Sequence, residues 1–303
     1  MKRTLLKIAA VAALLFAGTA VAEETGIAWF KTVETEVSAV TPVPTPEPTP
    51  EPVRSALSEE PCIEGPYDWS YADDTKNICI RKFSEKDKTW FVADIRLEDA
   101  FAFRAAYNLK GVKLSKMIEG IDAVLAINGD DFGVHKNGII IRNGKLLREK
   151  PTNRHLLVLD EEGDLYGIKG VKRNEEEDLA LKLSETGAWQ VFDFGPVLVE
   201  NGECASFPGS FDLISTDKSH KEPRTAIGMI SPLHYVLIVV DGRQKGYSMG
   251  VSLQELQQMF VDLGAEFAFN LDGGGSTELW FQGKVLNRPS SKHERQISDI
   301  ILF

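Results

Sequence analysis

The sequence predicts an α+β fold: a sheet-rich single domain of mixed strands with a few helices, preceded by a signal segment and a Pro-rich linker. Three observations predict it. Short β-branched or apolar runs bounded by Gly, Asn and Asp recur along the chain, one amphipathic helix stands among them, and the residues before 54 have the composition of a leader and a spacer.

Met1, Lys2 and Arg3 precede an apolar block from Leu5 to Val21, and Ala20-Val21-Ala22 stands before Glu23-Glu24. That order of charge, apolar run and small residues marks a secretory signal. The block falls short of the ~20 residues of a membrane span. A secreted or cell-surface protein is therefore expected, with residues 1–22 as a signal peptide or, in the alternative, an uncleaved N-terminal anchor. Residues 23–53 form the linker, in which Thr41 to Pro52 reads TPVPTPEPTPEP. Alternating prolines remove backbone donors and force extended geometry, which makes a semi-rigid spacer. The folded domain is expected over 54–303, with no internal repeat and no second linker.

Strands are expected at Trp90 to Leu97, Ala123 to Ile127, Gly138 to Arg142, His155 to Leu159, Thr225 to Ile230, Tyr235 to Val240 and Glu266 to Leu271. The helix runs from Ser252 to Leu263. Ser252 and Glu255 make a capping box, Leu253, Leu256, Met259, Phe260 and Leu263 share one face, and Gly264 follows as a C-cap. It joins a strand ending at Asp241 to a strand ending at Asp272. If those strands are parallel neighbours, both aspartates face one crevice at the strand carboxyl ends. Between Arg54 and Glu119, Tyr67, Trp69 and Trp90 are expected as core or cleft aromatics, the residues alone leaving both roles open.

A net charge of −11 with no basic cluster excludes the electrostatic footprint of a nucleic-acid binder. Cys62, Cys79 and Cys204 lack metal-ligand spacing; Cys62 and Cys79 either close a disulfide in an exported protein or all three remain reduced. The five histidines sit in no motif and G-x-S-x-G is absent, so neither a zinc site nor serine hydrolase chemistry is expected. No cofactor is called for, although oxygen ligands from Asp130, Asp131, Asp241 and Asp272 would suit Ca²⁺ or Mg²⁺.

The chemistry-bearing residues fall at strand ends. Asn128-Gly129 reads as a tight turn, and the adjacent Asp130-Asp131 would point one carboxylate inward and one outward. Pro223 fixes the entry of Arg224, whose planar donors suit a phosphate or a carboxylate; the alternative is a structural ion pair, and the same choice applies to Arg243 and Arg295. Gly273-Gly274-Gly275 with Ser276 and Thr277 offers successive N–H groups and two hydroxyls, the material of an anion-binding nest. The lysine of a Walker loop is missing.

In order, IDAVLAINGDDFG, EPRTAIGM, VDGRQKGYSMGVSLQELQQMFVDLGAEFAFNLDGGGSTELW and VLNRPSSKHERQIS resemble the phosphodiester glycosidase family from Ala123 to the end. The resemblance implies cleavage of the sugar C1–O bond of a sugar-1-phosphodiester, or of a phosphorylated cell-surface glycan, with release of sugar and a phosphomonoester. It fits exopolysaccharide-associated exported proteins. Asp272 and Asp241 are then the expected catalytic carboxylates, with Asp131 and Glu294 behind them. Asn128, Gly129, Arg224, Thr225, Arg243, Gly273, Gly274, Ser276, Thr277 and Arg295 are expected to bind phosphate or sugar. One departure is the Asp130-Asp131 pair, where the family commonly carries an aromatic or small residue, which points to a changed sugar preference or a cation site. The alternative reading is a non-catalytic glycan- or anion-binding protein.

Overall fold

The computed structural model describes residues 55–170, 178–207, 210–211, 214–215, 217 and 219–303. The signal segment and the proline-rich linker lie outside the described residues.

The largest sheet has eight strands, in the spatial order Trp69–Ala72, Lys76–Glu85, Lys88–Leu97, His234–Val240, Arg224–Ser231, Phe267–Asn270, Val197–Glu200 and Glu203–Cys204. A five-stranded sheet runs Lys145–Lys150, Gly138–Arg142, Ala188–Phe194, His155–Asp160, Leu165–Ile168, and another runs Lys284–Val285, Leu279–Phe281, Leu125–Asn128, Ile297–Leu302, Arg104–Val112. All three share one apolar core. Ile78, Phe91 and Leu237 of the first sheet meet Leu157 and Phe192 of the second, Leu125 and Ile301 of the third, and Phe303 just past its last strand. Alternation explains how: in Ile78-Cys79-Ile80 the isoleucines point inward and Cys79 points to the opposite face.

Each sheet's other face is covered by a helix. Leu253–Asp262 lays Leu253, Leu256 and Phe260 on Val236, Ile238 and Ala268, Leu179–Glu185 covers the second sheet, and Leu114–Met117 covers the third. The expected capping box is present, with Ser252 Oγ accepting from Glu255 N and Glu255 accepting from Ser252 N. Full burial of a side chain such as Phe260 contributes about 1.5–3 kcal/mol, which is what fixes this helix to its sheet.

Two expectations are corrected. The pairings between described strands are all antiparallel, so the sheets are not mixed. The strands ending near Asp241 and Asp272 run the same way but are not neighbours, because Arg224–Ser231 lies between them, antiparallel to both. The tight turn from Ser231 to His234 forces that hairpin, and the helix connection crosses over it. Cys62, Cys79 and Cys204 are free thiols.

Candidate functional site

The inserted strand brings Arg224 to the end of the sheet where both aspartates leave it. Register sets Arg224 against Val240 and Ala226 against Asn270. The chain then turns across the strand start, with Leu271 N donating to Thr225 O at 2.9 Å and Gly274 N to Pro223 O at 2.9 Å. This crossing explains the glycines. A Cβ on Gly273 would lie 2.7 Å from the Pro223 carbonyl oxygen, and Gly274 holds φ +59°.

The third sheet is stapled on at the same place by Asn128. Its Nδ2 donates to the Asp272 carbonyl at 2.6 Å, while its Oδ1 accepts from Thr225 Oγ1 at 2.7 Å and Glu278 N at 3.1 Å. Asp272 N donates to Gly129 O at 3.2 Å, and a Cβ on Gly129 would strike the Asp299 carboxylate. Asn128, Gly129 and Thr225, expected to touch substrate, are buried in this hydrogen-bonded junction.

Asp272 is half-buried, and burial with the nearby Asp131 charge lifts its carboxyl to about 6, against the pull of Ser276, Arg295 and the Gly273 N–H. Arg295 Nη1 donates to Ser276 Oγ at 3.4 Å and its side chain lies over Gly275. Arg243 lies beside Gly274 and pairs with Glu222. Arg224 is 5% exposed, donates from Nε to Val251 O at 3.3 Å, and has no hydrogen-bond partner on Nη2. Burial lowers its guanidinium to about 10; Glu222 opposes that shift, and the neighbouring Arg243 charge adds to it. An arginine so buried with a donor unmatched, next to a second guanidinium, is an arrangement that an anion would relieve.

Four of the five N–H groups expected to form a backbone nest are engaged inside the protein. Gly273 N donates to Asp272 Oδ1, Gly274 N to Pro223 O, Ser276 N to Gly273 O and Thr277 N to Gly274 O, as a single turn of 3₁₀ helix. Thr277 is buried beneath them.

The other expected carboxylates are held elsewhere. Asp241, 1% exposed, accepts from Tyr247 Oη at 2.8 Å, Asn287 Nδ2 at 3.0 Å and Arg288 N at 3.0 Å, and so fixes the 287–288 turn. Burial raises its carboxyl and those donors lower it. Glu294 accepts from Ser115 N and Oγ at 2.9 and 2.7 Å and caps the helix Leu114–Met117. Asp131 pairs with Arg154 at 2.6 Å and His135 at 2.7 Å while remaining within electrostatic reach of Asp272. Asp130 joins the fully buried Arg142 and Asp299, at 2.8 and 2.6 Å from the guanidinium. Asp130, Asp131, Asp241 and Asp272 thus do not converge into one cation cage.

Sequence reasoning passed over Glu278, Asp193, Arg154 and His135. Glu278 is fully buried, accepts from Arg295 N at 3.1 Å, and is raised to about 8 by burial and by Glu294. Its position right after the glycine turn was the available signal. Asp193, raised to about 6 by burial, carries Thr152 at 2.9 Å. A cavity of about 340 Å³ lined by Asp160, Tyr166, Glu200, Glu266 and Phe267 lies at the other end of the strand Phe267–Asn270 and contributes nothing to this group.

Sheets joined by an asparagine staple thus bring arginines around a glycine turn and a raised aspartate. The family model described as phosphodiester glycosidase (NAGPA) matches residues 122–303, and the chain belongs to that family. The SPbeta prophage-derived uncharacterized protein YomE of Bacillus subtilis (strain 168) is 32% identical over 188 residues, 59% of this chain. The chain spans only 27% of that relative's length. Among solved structures, the zebrafish N-acetylglucosamine-1-phosphodiester alpha-N-acetylglucosaminidase catalytic domain, auto-inhibited by its pro-peptide, superposes with TM-score 0.60 at 19% identity, over 82% of this chain and 85% of that one. A hypothetical protein from Synechocystis gives TM-score 0.55 at 15% identity, over 76% and 62% of the two chains. These similarities show a shared fold.

Proposed function

We propose that this chain is an exported or cell-surface hydrolase that cleaves the sugar C1–O bond of a sugar-1-phosphodiester, as the name of the zebrafish neighbour describes for that enzyme. Water adds its oxygen to C1, the C1–O bond breaks with its electrons going to the phosphate oxygen, and the products are free sugar and a phosphomonoester. The leaving group departs as a stabilised anion, so charge stabilisation matters more than protonation.

The observation that carries this reading is Arg224, buried with Nη2 unmatched beside Arg243 and at the foot of the Asp272 turn. Arg224, Arg243 and Arg295 hold the phosphate, and Ser276 positions both Arg295 and Asp272. Asp272, raised to about 6, is mostly ionised at neutral pH yet basic enough to take the proton of the attacking water or to stabilise positive charge at C1.

The test is hydrolysis of a panel of sugar-1-phosphodiesters, including UDP-N-acetylglucosamine, in ¹⁸O water. Label in the released sugar supports the glycosidase; label in phosphate would mean P–O cleavage and overturn it. Tight binding of the whole panel without sugar release would favour the anion-binding alternative.

A further inference from the structure

His234 opens the strand whose far end is Val240, so it lies at the opposite end of the large sheet from Asp272. Register sets it against Arg96 and sets Val236 against Asp94, which places Asp94 and His234 on one face. The segment carrying Glu59 and Cys62 lies on this face, with Ile63 buried among Val92 and Val236 and Ala56 N donating to Leu97 O at 3.2 Å. Three residues remote in sequence, 62, 94 and 234, are thereby brought together. Cys62 Sγ, an Asp94 carboxylate oxygen and a His234 ring nitrogen lie within 4.8 Å of one another.

We propose that Cys62, Asp94 and His234 form a zinc site, with water as the fourth ligand. Thiolate, imidazole and carboxylate are donors that Zn²⁺ takes in tetrahedral geometry, and at normal bond lengths their ligand atoms sit roughly 3.5 Å apart. The Nε2–Oδ2 pair, now 2.9 Å apart, opens by about half an ångström, and Cys62 Sγ, within 4.8 Å of both, closes by up to about an ångström, within reach of side-chain rotation.

The surroundings are those of a ligating histidine. His234 Nδ1 lies 2.9 Å from Glu59 Oε2, which also accepts from Ser231 Oγ at 2.8 Å, so a carboxylate orients the ring from behind. His234 Nε2 lies 2.9 Å from Asp94 Oδ2, and the metal takes the place of the proton between them. Asp94 Oδ1 keeps its ion pair with Arg96 Nε at 3.0 Å. The charge balances: Zn²⁺ enters, the Cys62 S–H proton and the His234 Nε2–H proton leave, and the net charge of the buried group is unchanged. Bound there, the ion ties the segment that carries Glu59 and Cys62 to two strands of the sheet.

Cobalt is the probe. Co²⁺ added to the chelator-stripped full chain is expected to give tetrahedral visible bands and a near-ultraviolet thiolate band saturating at a single equivalent, both bleached by Zn²⁺. Zn²⁺ is expected to raise Tm by several degrees. Cys62→Ser should remove the thiolate band and the Tm response, whereas Cys79→Ser and Cys204→Ser should keep both. His234→Gln checks the imidazole separately and should weaken binding by an order of magnitude or more. No cobalt spectrum in excess metal, or a thiolate band that survives Cys62→Ser, would overturn the site.

Discussion

The Asn128 side-chain amide donates to the main-chain carbonyl of Asp272 at 2.6 Å, so the end of a strand in one sheet holds the residue that leaves a strand in another. Because Asn128 Oδ1 also takes Thr225 Oγ1 and Glu278 N, this one side chain fixes three segments around the site.

Replacing Asn128 by alanine leaves a buried hydroxyl, amide and carbonyl without that partner. A stability loss of about 2–4 kcal/mol is expected, read as a fall in the urea midpoint, with activity falling alongside. Unchanged stability would remove Asn128 from the frame.

Asp272→Asn and Asp241→Asn should separate cleanly. Asp272→Asn is expected to lower kcat by about 10³-fold with substrate binding and Tm retained. Asp241→Asn weakens an acceptor for Tyr247, Asn287 and Arg288 and should destabilise the fold by about 1–3 kcal/mol, with its loss of kcat following the fraction unfolded. Equal losses of kcat in two fully folded variants would return Asp241 to the chemistry.

Arg224→Met should stabilise the protein while impairing it. Removing a charge that burial holds down to about 10 relieves an unfavourable interaction, and a gain of about 1–3 kcal/mol is expected. The same change should lower kcat/KM for a phosphodiester by about 10²-fold or more. A destabilised Arg224→Met would mean that the guanidinium is internally compensated.

Activity should rise with pH through about 6 as Asp272 ionises. Stability runs the other way for Glu278. Its folded-state carboxyl is raised from 4.5 to about 8, so its contribution is fully present below 4.5 and is lost as pH rises to about 8. The slope is about 1.4 kcal/mol per pH unit for one proton. Glu278→Gln keeps an acceptor for Arg295 N and is expected to flatten that fall, measured by chemical denaturation across the range; an unchanged slope would assign it to other groups.

Much of the architecture was legible locally. Gly138–Arg142 matches its expected bounds, and the Ser252–Glu255 capping box starts the helix where it was placed, because alternation and capping depend on residues within a few positions of each other. The glycine turn and Arg224 also stood out locally, as three consecutive glycines and a proline-set arginine at strand ends.

The amino-acid sequence alone therefore determined the sheet-rich class, the amphipathic helix, the family resemblance and the cluster of acids, arginines and glycines from which a site is made. Tertiary structure decided how that material is used. It inserted the Arg224 strand between those of Asp241 and Asp272, gave Asp241 to Asn287 and Asp130 to Arg142, turned the Gly274 N–H onto Pro223, and gathered Cys62, Asp94 and His234. The physical reason is that strand order and burial are settled by packing between residues far apart in the chain, and a polar group's role follows from which partners that packing leaves within hydrogen-bond reach.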